Sequence, residues 1–414
     1  GGSEKMDYYI NFGYTDQEGF FKSKALNYDR YNLRMNLNAE VAKNLKASVK
    51  MNGIIDNKER QYLSTWEVYK ALWRASPNEK LYANDTPGYY QKMSTDQLNL
   101  LASTDPDVSG YNKNTNKIFQ SSMELEYVVP FVKGLKVKGL FSYDTSIADN
   151  SIFQKEYNEY TYDEASETYS AYPKQSPTKL ERYYGNSWST LWQASVSYDN
   201  TFATDHHVSG LLLYEEGHSV GDNIRASREF SIPLPYLFAG NSTNQLGTSN
   251  ADGLTESASK ALVGRFNYDY KGRYLAEFAF RYDGSSKFPH GDRYAFFPSA
   301  SVAWRVSEEK FWEPIRGWFD NFKLRASYGS LGNQALDESR YGNFPYLATY
   351  GINTKYGALL NGTRPVAVSV PGLVSASFTW ETVNQIDFGF DASFFGGRLN
   401  TSFDWYRRNT KDML

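Results

Sequence analysis

The sequence contains no cysteine and four histidines. Neither disulfides nor thiolate metal sites hold this chain together. It has no run of about 18 apolar residues, so a membrane-spanning helix is excluded. Its formal net charge is only −3 over 414 residues, which leaves no basic excess to recognise nucleic acid. The opening "GGSEKMDYYI" carries no apolar targeting run, and any such segment is expected to be cleaved or to lie upstream. No glycine loop of the phosphate-binding kind occurs, and no stretch has enough helical periodicity to build a second layer. Aromatic residues, by contrast, are plentiful: 34 Tyr, 26 Phe and 9 Trp, or 17% of the chain.

Those rings follow a period of two. In "RYLAEFAFRYDGSSKF" one face carries Tyr274, Ala276, Phe278, Phe280 and Tyr282. The other carries Arg273, Leu275, Glu277, Ala279, Arg281 and Asp283. Such alternation recurs about thirteen times and predicts an antiparallel sheet with two chemically different faces. The segments are 8–14, 31–38, 46–56, 118–129, 135–145, 187–199, 207–217, 260–270, 273–283, 294–306, 321–330, 384–395 and 398–408.

Links on one side are short, near 40–45, 130–134, 200–206, 271–272 and 396–397, with a longer exception at 307–321. Those on the other side are long at 57–117, 146–186, 218–259 and 331–383, and intermediate at 15–29 and 284–293. Short turns on one rim and long loops on the other are the pattern of an outer-membrane barrel. Ten residues at about 3.4 Å, tilted by about 40°, cross an apolar band of about 25 Å. The expected fold is thus an all-β, antiparallel transmembrane β-barrel. Its apolar face points outward, with Tyr274 and Tyr282 near the headgroups. Arg273, Glu277, Arg281, Asp283, Asp387 and Asp391 are the expected lumen-lining residues. A soluble β-sandwich packed on its apolar face would show the same alternation.

Few motifs suggest chemistry. "GHSVG" places Ser219 in a nucleophile-elbow pattern, but that motif needs a helix after its strand. The following "DNIRASREFSIPLP" has no apolar helical face, so a loop leaving the outer rim is expected there. His206, His207, His218 and His290 show no metal-ligand spacing. "DPDVSG" at 105–110 lacks the acids of a calcium loop and reads as a turn. No catalytic residue, metal or cofactor is expected. The 57–117 loop is richer. Ser64 with Glu67, and Ser94 with Gln97, form capping boxes ahead of apolar runs, so two short helices should order it. Trp66, Trp73, Tyr82, Tyr89 and Tyr90 in that loop are candidates to stack on a solute or to meet a lid protein. Tyr157, Tyr160, Tyr162 and Tyr169 in the 146–186 loop are candidates for the same roles, and packing of the loops onto the barrel mouth is the plainer alternative.

"RYDGSSKFPHGDRYAFFPSASVAWRVSEEKF" (281–311), "KLRASYGSLGNQ" (323–334) and "TWETVNQIDFGFDASFFGGRLNTSFDWYRRNTKDML" (379–414) resemble the barrel of SusC/RagA-type TonB-dependent outer-membrane transporters. The early "INFGYTDQEGFFK…YDRYNLRMNLNAEV" (10–41) resembles the barrel soon after the plug domain. The resemblance implies a 22-stranded barrel with a plug. About thirteen strands and no plug-like region are visible, so 1–414 reads as one partial barrel domain with open edges. It further implies residence in a Gram-negative outer membrane, among its lipids. The implied activity is uptake of oligosaccharides or peptides, driven through TonB beneath a SusD-like lid lipoprotein. A passive porin or adhesin barrel, or an extracellular β-sheet hydrolase using Ser219, are the other readings.

Overall fold

The computed structural model describes residues 1–94, 97–249, 253–334, 343–348, 350–353, 359, 362, 367–371 and 378–413. Among them the alternating segments join one antiparallel sheet of fifteen strands. Two of these, Gly2–Ser3 and Asn241–Thr248, are short edge pieces. The other thirteen form an up-and-down meander, each paired with its chain neighbours. They are β1 (Met6–Glu18), β2 (Asn27–Ala42), β3 (Leu45–Gln61), β4 (Gly110–Val128), β5 (Leu135–Gln154), β6 (Thr178–Phe202) and β7 (His206–Phe230). β8 (Thr255–Tyr270), β9 (Tyr274–Ser285), β10 (Tyr294–Arg305), β11 (Phe319–Asn333), β12 (Glu381–Phe394) and β13 (Leu399–Lys411) follow. Every predicted segment has its strand. The sheet is open, with β1 and β13 at its two ends.

Surface area decides between barrel wall and sandwich. The chain exposes 26430 Å², whereas a compact globule of 47.3 kDa would expose about 16,000 Å². The excess is a sheet whose apolar face has no protein against it. Phe278 is 44% exposed and Phe388 52%, with Phe280 and Phe390 half-buried. No dry centre holds these rings, and the sandwich reading falls.

The aromatic residues mark two levels on that face. At the rim, Tyr274 donates to Glu309 at 2.5 Å and Trp304 Nε1 donates to the same carboxylate at 3.1 Å. Toward the loops, Tyr282 stacks on Tyr294 and Tyr14 packs on Tyr31, with centroids 5.5 and 4.9 Å apart. Phenols and indoles favour such levels because the ring prefers hydrocarbon and the polar tip prefers water. The stagger of the upper level gives the strand tilt. Tyr282 lies in register with Leu262, Tyr214, Ala194, Gly139, Leu125, Ala47, Ala39 and Met6. Tyr14 stands further up the same β1 strand than Met6. The level therefore slips about one residue (3.4 Å) per strand spacing of about 4.8 Å, a tilt of about 35°.

Several strands outrun their predicted ends. β6 begins at Thr178 rather than 187, and β7 continues to Phe230 rather than stopping at 217. Much of the predicted 146–186 and 218–259 loops is consequently strand. Above the lipid both faces meet water or loops, so alternation fades while the backbone ladder continues. Two apolar clusters sit at that height. Phe153, Leu180 and Phe230 pack together on the lipid-side face and are covered by Leu237. Phe288, Phe297, Phe378 and Trp380 pack on the opposite face. Phe297 leans over Gly332, where any Cβ would meet its ring at 2.0 Å. The long rim link folds as two 3₁₀ turns, Val306–Glu308 and Lys310–Ile315, closed by Trp312 donating to the Phe319 carbonyl at 3.0 Å.

Candidate functional site

Two surfaces carry the polar chemistry. The first is the face opposite the lipid side. Glu277 accepts from Arg265 at 2.6 Å, and Arg281 donates to Asp283 at 2.8 Å with Glu215 at 3.9 Å. Arg325 binds Asp391 at 3.3 Å and Asp404 at 2.9 Å, and Asp387 accepts from Gln385 at 2.6 Å. Five of the six expected lumen residues thus share one face. Arg273 differs: it sits in the rim turn before β9 and pairs with Glu309 at 2.9 Å. Exposed pairs like these add little stability, about 0–1 kcal/mol each. Their consequence is a wetted, charge-balanced surface. Arg265 and Arg325 escaped prediction, although alternation read across to their strands would have found them.

Ser219 lies on this face too, but mid-strand. It is in register with Ser189 on β6 and Ser257 on β8, and β7 runs on past it. The expected loop is absent, and so is the strand–turn–helix that exposes an elbow serine. The sequence hook for hydrolysis therefore has no structural context.

The second surface is the loop platform. Helix α1 (Thr65–Arg74) starts where expected, its Ser64 hydroxyl accepting from Glu67 N at 3.2 Å. The second helix, α2 (Leu100–Thr104), is capped by Asn99 rather than Ser94. Asn99 accepts from Ala102 N at 3.2 Å and its amide also donates to Leu81 O and Gln91 O. Buried asparagine with both ends engaged outcompetes a serine five residues away. The "DPDVSG" turn becomes α3 (Pro106–Ser109), capped by Asp105.

A hairpin, Tyr157–Asp163 with Thr168–Lys174, docks on the first loop. Tyr160 N donates to Tyr90 O at 2.7 Å and Lys92 N to Tyr160 O at 2.8 Å. The rings close the joint: Tyr89 lies 4.2 Å from Tyr169 and 4.9 Å from Tyr160, and Tyr162 lies 4.8 Å from Tyr169. Tyr82 packs on Tyr90, which meets Tyr157. Beneath them Glu159 is fully buried, 3.4 Å from both Lys174 Nζ and Met93 N. Burial raises the Tyr157 pKa well above the usual phenol range, with Glu159 and Tyr90 adding to it. Seven of the nine ring candidates therefore seal two loops to each other. Trp66 and Trp73 on α1 do not join them and are 67% and 85% exposed. Glu159, Lys92 and Tyr172, whose ring Lys92 covers at 3.5 Å, were not foreseen.

A single-layer antiparallel wall with a lipid-type exterior, a charged interior and long loops at one end defines an outer-membrane barrel. Residues 71–414 match the family described as TonB dependent receptor-like, beta-barrel, and the chain belongs to it. It is 27% identical over 430 residues to TonB-dependent receptor P26 of Formosa agariphila, matching 100% of this chain and 39% of that protein. It is 25% identical over 434 residues to TonB-dependent receptor SusC of Bacteroides thetaiotaomicron, matching 100% of this chain and 40% of that one. The chain thus spans about two fifths of the length of these curated relatives. The structure of the RagAB peptide transporter superposes with a TM-score of 0.74 at 22% identity, over 100% of this chain and 44% of that chain, and shares its fold. The expected kinship with SusC/RagA-type proteins holds. The family is one of outer-membrane receptors and transporters, not of enzymes.

Proposed function

We propose that this chain forms wall of an active importer in a Gram-negative outer membrane, taking up oligosaccharides or peptides through TonB. The observation that carries this reading is the pairing of a lipid-type face, exposed from Phe12 to Phe403, with a charge-balanced face behind it. That arrangement has a use only where lipid lies on one side and water on the other. Glu277, Arg281, Asp283, Asp387 and Asp391 then line the water-filled path. The loop platform stands at the outer mouth, where a SusD-like lipoprotein would close on it. Trp66 and Trp73 are the rings left free to meet that lid or the solute, since the tyrosines are spent on one another. Likeness to SusC and to the RagAB peptide transporter supports solute import without choosing between glycan and peptide.

The test is uptake of labelled oligosaccharide and peptide mixtures by cells carrying the full-length protein, with and without TonB. Loss of uptake on deleting TonB is expected. Uptake that persists would convert the reading to a passive porin.

A further inference from the structure

The charged face of the wall is not balanced everywhere. On β4 and β5 its ions meet in pairs, Lys138 with Glu124 at 2.7 Å and Lys136 with Glu126 at 3.4 Å. Farther round, Arg265, Arg281 and Arg325 are likewise paired. Arg34 on β2 and Lys50 on β3 are the contrast. Alternation puts both on this face, since their chain neighbours Leu33 and Met51 belong to the lipid side. Both are exposed, and among the described residues neither has an ion pair or a hydrogen bond.

Their surroundings supply no counter-charge. In register beside Arg34 stand Asn11 and Asn52, and beside Lys50 stand Asn36 and Ser122. Along the two strands, the next residues on this face are Asn32, Asn36, Ser48 and Asn52. Glu124, the carboxylate diagonal to Lys50, is held by Lys138. Arg34 and Lys50 are themselves diagonal neighbours, about 7–8 Å apart at the backbone. Two like charges at that spacing repel, and one anion between them offsets both.

The pair forms one side of a cavity of about 400 Å³. Asn52, Gln120, Ser122 and Ser142 make its floor, and Asp144 closes the far side. Asn52 donates to Gln120 at 3.0 Å. Register sets Asp144 three strands from Arg34, about 14 Å, and among the described residues no ion pair joins them. The cavity lies inside the bore, below its mouth. Tyr31 marks the upper aromatic level on β2, and Arg34 stands three residues, about 10 Å, rimward of it. Hydrocarbon behind the wall at that depth focuses the field of the two cations into the bore.

We propose that this cavity is an anion subsite on the solute path, holding an acidic oligosaccharide by a carboxylate or sulfate between Arg34 and Lys50. The inference rests on the water-filled bore proposed above. The rest of the lining favours a glycan over a peptide. Its amides and hydroxyls donate and accept at once, as sugar hydroxyls do. A peptide's apolar side chains would find only Met51 at the edge, and Met51 belongs to the lipid side.

The test is titration of the purified full-length protein in detergent. The probes are a tetrauronide, a sulfated tetrasaccharide, a neutral tetrasaccharide and an acidic tetrapeptide of equal charge. The wild type should bind at least one acidic sugar about tenfold more tightly than the neutral one. Arg34→Gln combined with Lys50→Gln should erase that preference. Lys46→Gln, in register with both Glu40 and Glu126 near the rim, should leave it intact. Equal binding of acidic and neutral sugars by the wild type would overturn the proposal. So would an unchanged preference in the double variant, or an equal loss in Lys46→Gln. Failure of every probe to bind the wild type would mean that another part of the protein covers the pair, and would overturn it too. The acidic peptide binding as tightly as the acidic sugars would overturn the choice of glycan. Arg34 and Lys50 are both exposed and glutamine adds no bulk, so the double variant is expected to fold. TonB plays no part in this titration, so TonB-independent uptake would defeat the importer reading and leave the subsite standing.

Discussion

Below the upper tyrosines and above them, the same strands obey different rules. At membrane height, alternation dominates: rings and aliphatics fill one face, and most ions and amides lie on the other. At loop height the β6 and β7 ladder continues through Thr178 and Phe230, yet apolar clusters appear on either face and each is covered by a loop. The hydrogen-bond ladder is indifferent to what lies beside it. Side-chain pattern is not, because it answers to the solvent each face meets. Lipid covers the lower exterior without help, whereas water above forces the protein to cover its own apolar groups.

That contrast can be broken by cutting the same side chain at both heights. Phe288 is fully buried in the upper cluster, so Phe288→Ala should cost about 3–5 kcal/mol of local stability. The measurement is hydrogen exchange of the 286–293 segment in detergent. Phe278→Ala at membrane height should cost much less, since acyl chains flow into the vacated space. Equal losses would mean that Phe278 faces protein, not lipid.

Placing a charge sharpens it next. Phe278 stands midway between Tyr274 and Tyr282, so Phe278→Arg should lose about 2–4 kcal/mol when folding into vesicles is titrated. Ile224→Arg, on the same face but at loop height, should change folding little, as that side chain is 57% exposed. A cost at Ile224 matching that at Phe278 would erase the boundary between the two heights.

The smallest effect is a pH response confined to the loop platform. The raised Tyr157 pKa means that the folded hairpin favours the neutral phenol. Its contribution is fully present below the unfolded phenol value of about 10 and is lost as pH rises beyond it. Limited proteolysis of the 155–177 segment should accelerate above pH about 10 in the wild type, and less so in Tyr157→Phe. A flat profile in both would detach Tyr157 from the docking of the hairpin.

Much of the wall was legible in the residues because alternation, strand length and link length are all local properties. Strand ends were not, since ladder pairing above the lipid leaves no trace in side-chain period. The first helix was readable from Ser64 and Glu67. The second cap was misplaced, because what recommends Asn99 is its contact with Leu81 and Gln91, which no local motif encodes. The polar face was found through β9 and β12, and the same alternation on β8 and β11 contains Arg265 and Arg325; only their pairing with Glu277, Asp391 and Asp404 required register. About half of 331–383 lies outside the described residues.

Sequence by itself determined that this chain is a two-faced antiparallel sheet with long loops at one end, because a period of two follows from the backbone alone. Tertiary structure decided which face has protein against it, which rings meet, and how far the ladder rises. Those outcomes depend on strand register and on contacts between segments distant in the chain, and no window of neighbouring residues contains either.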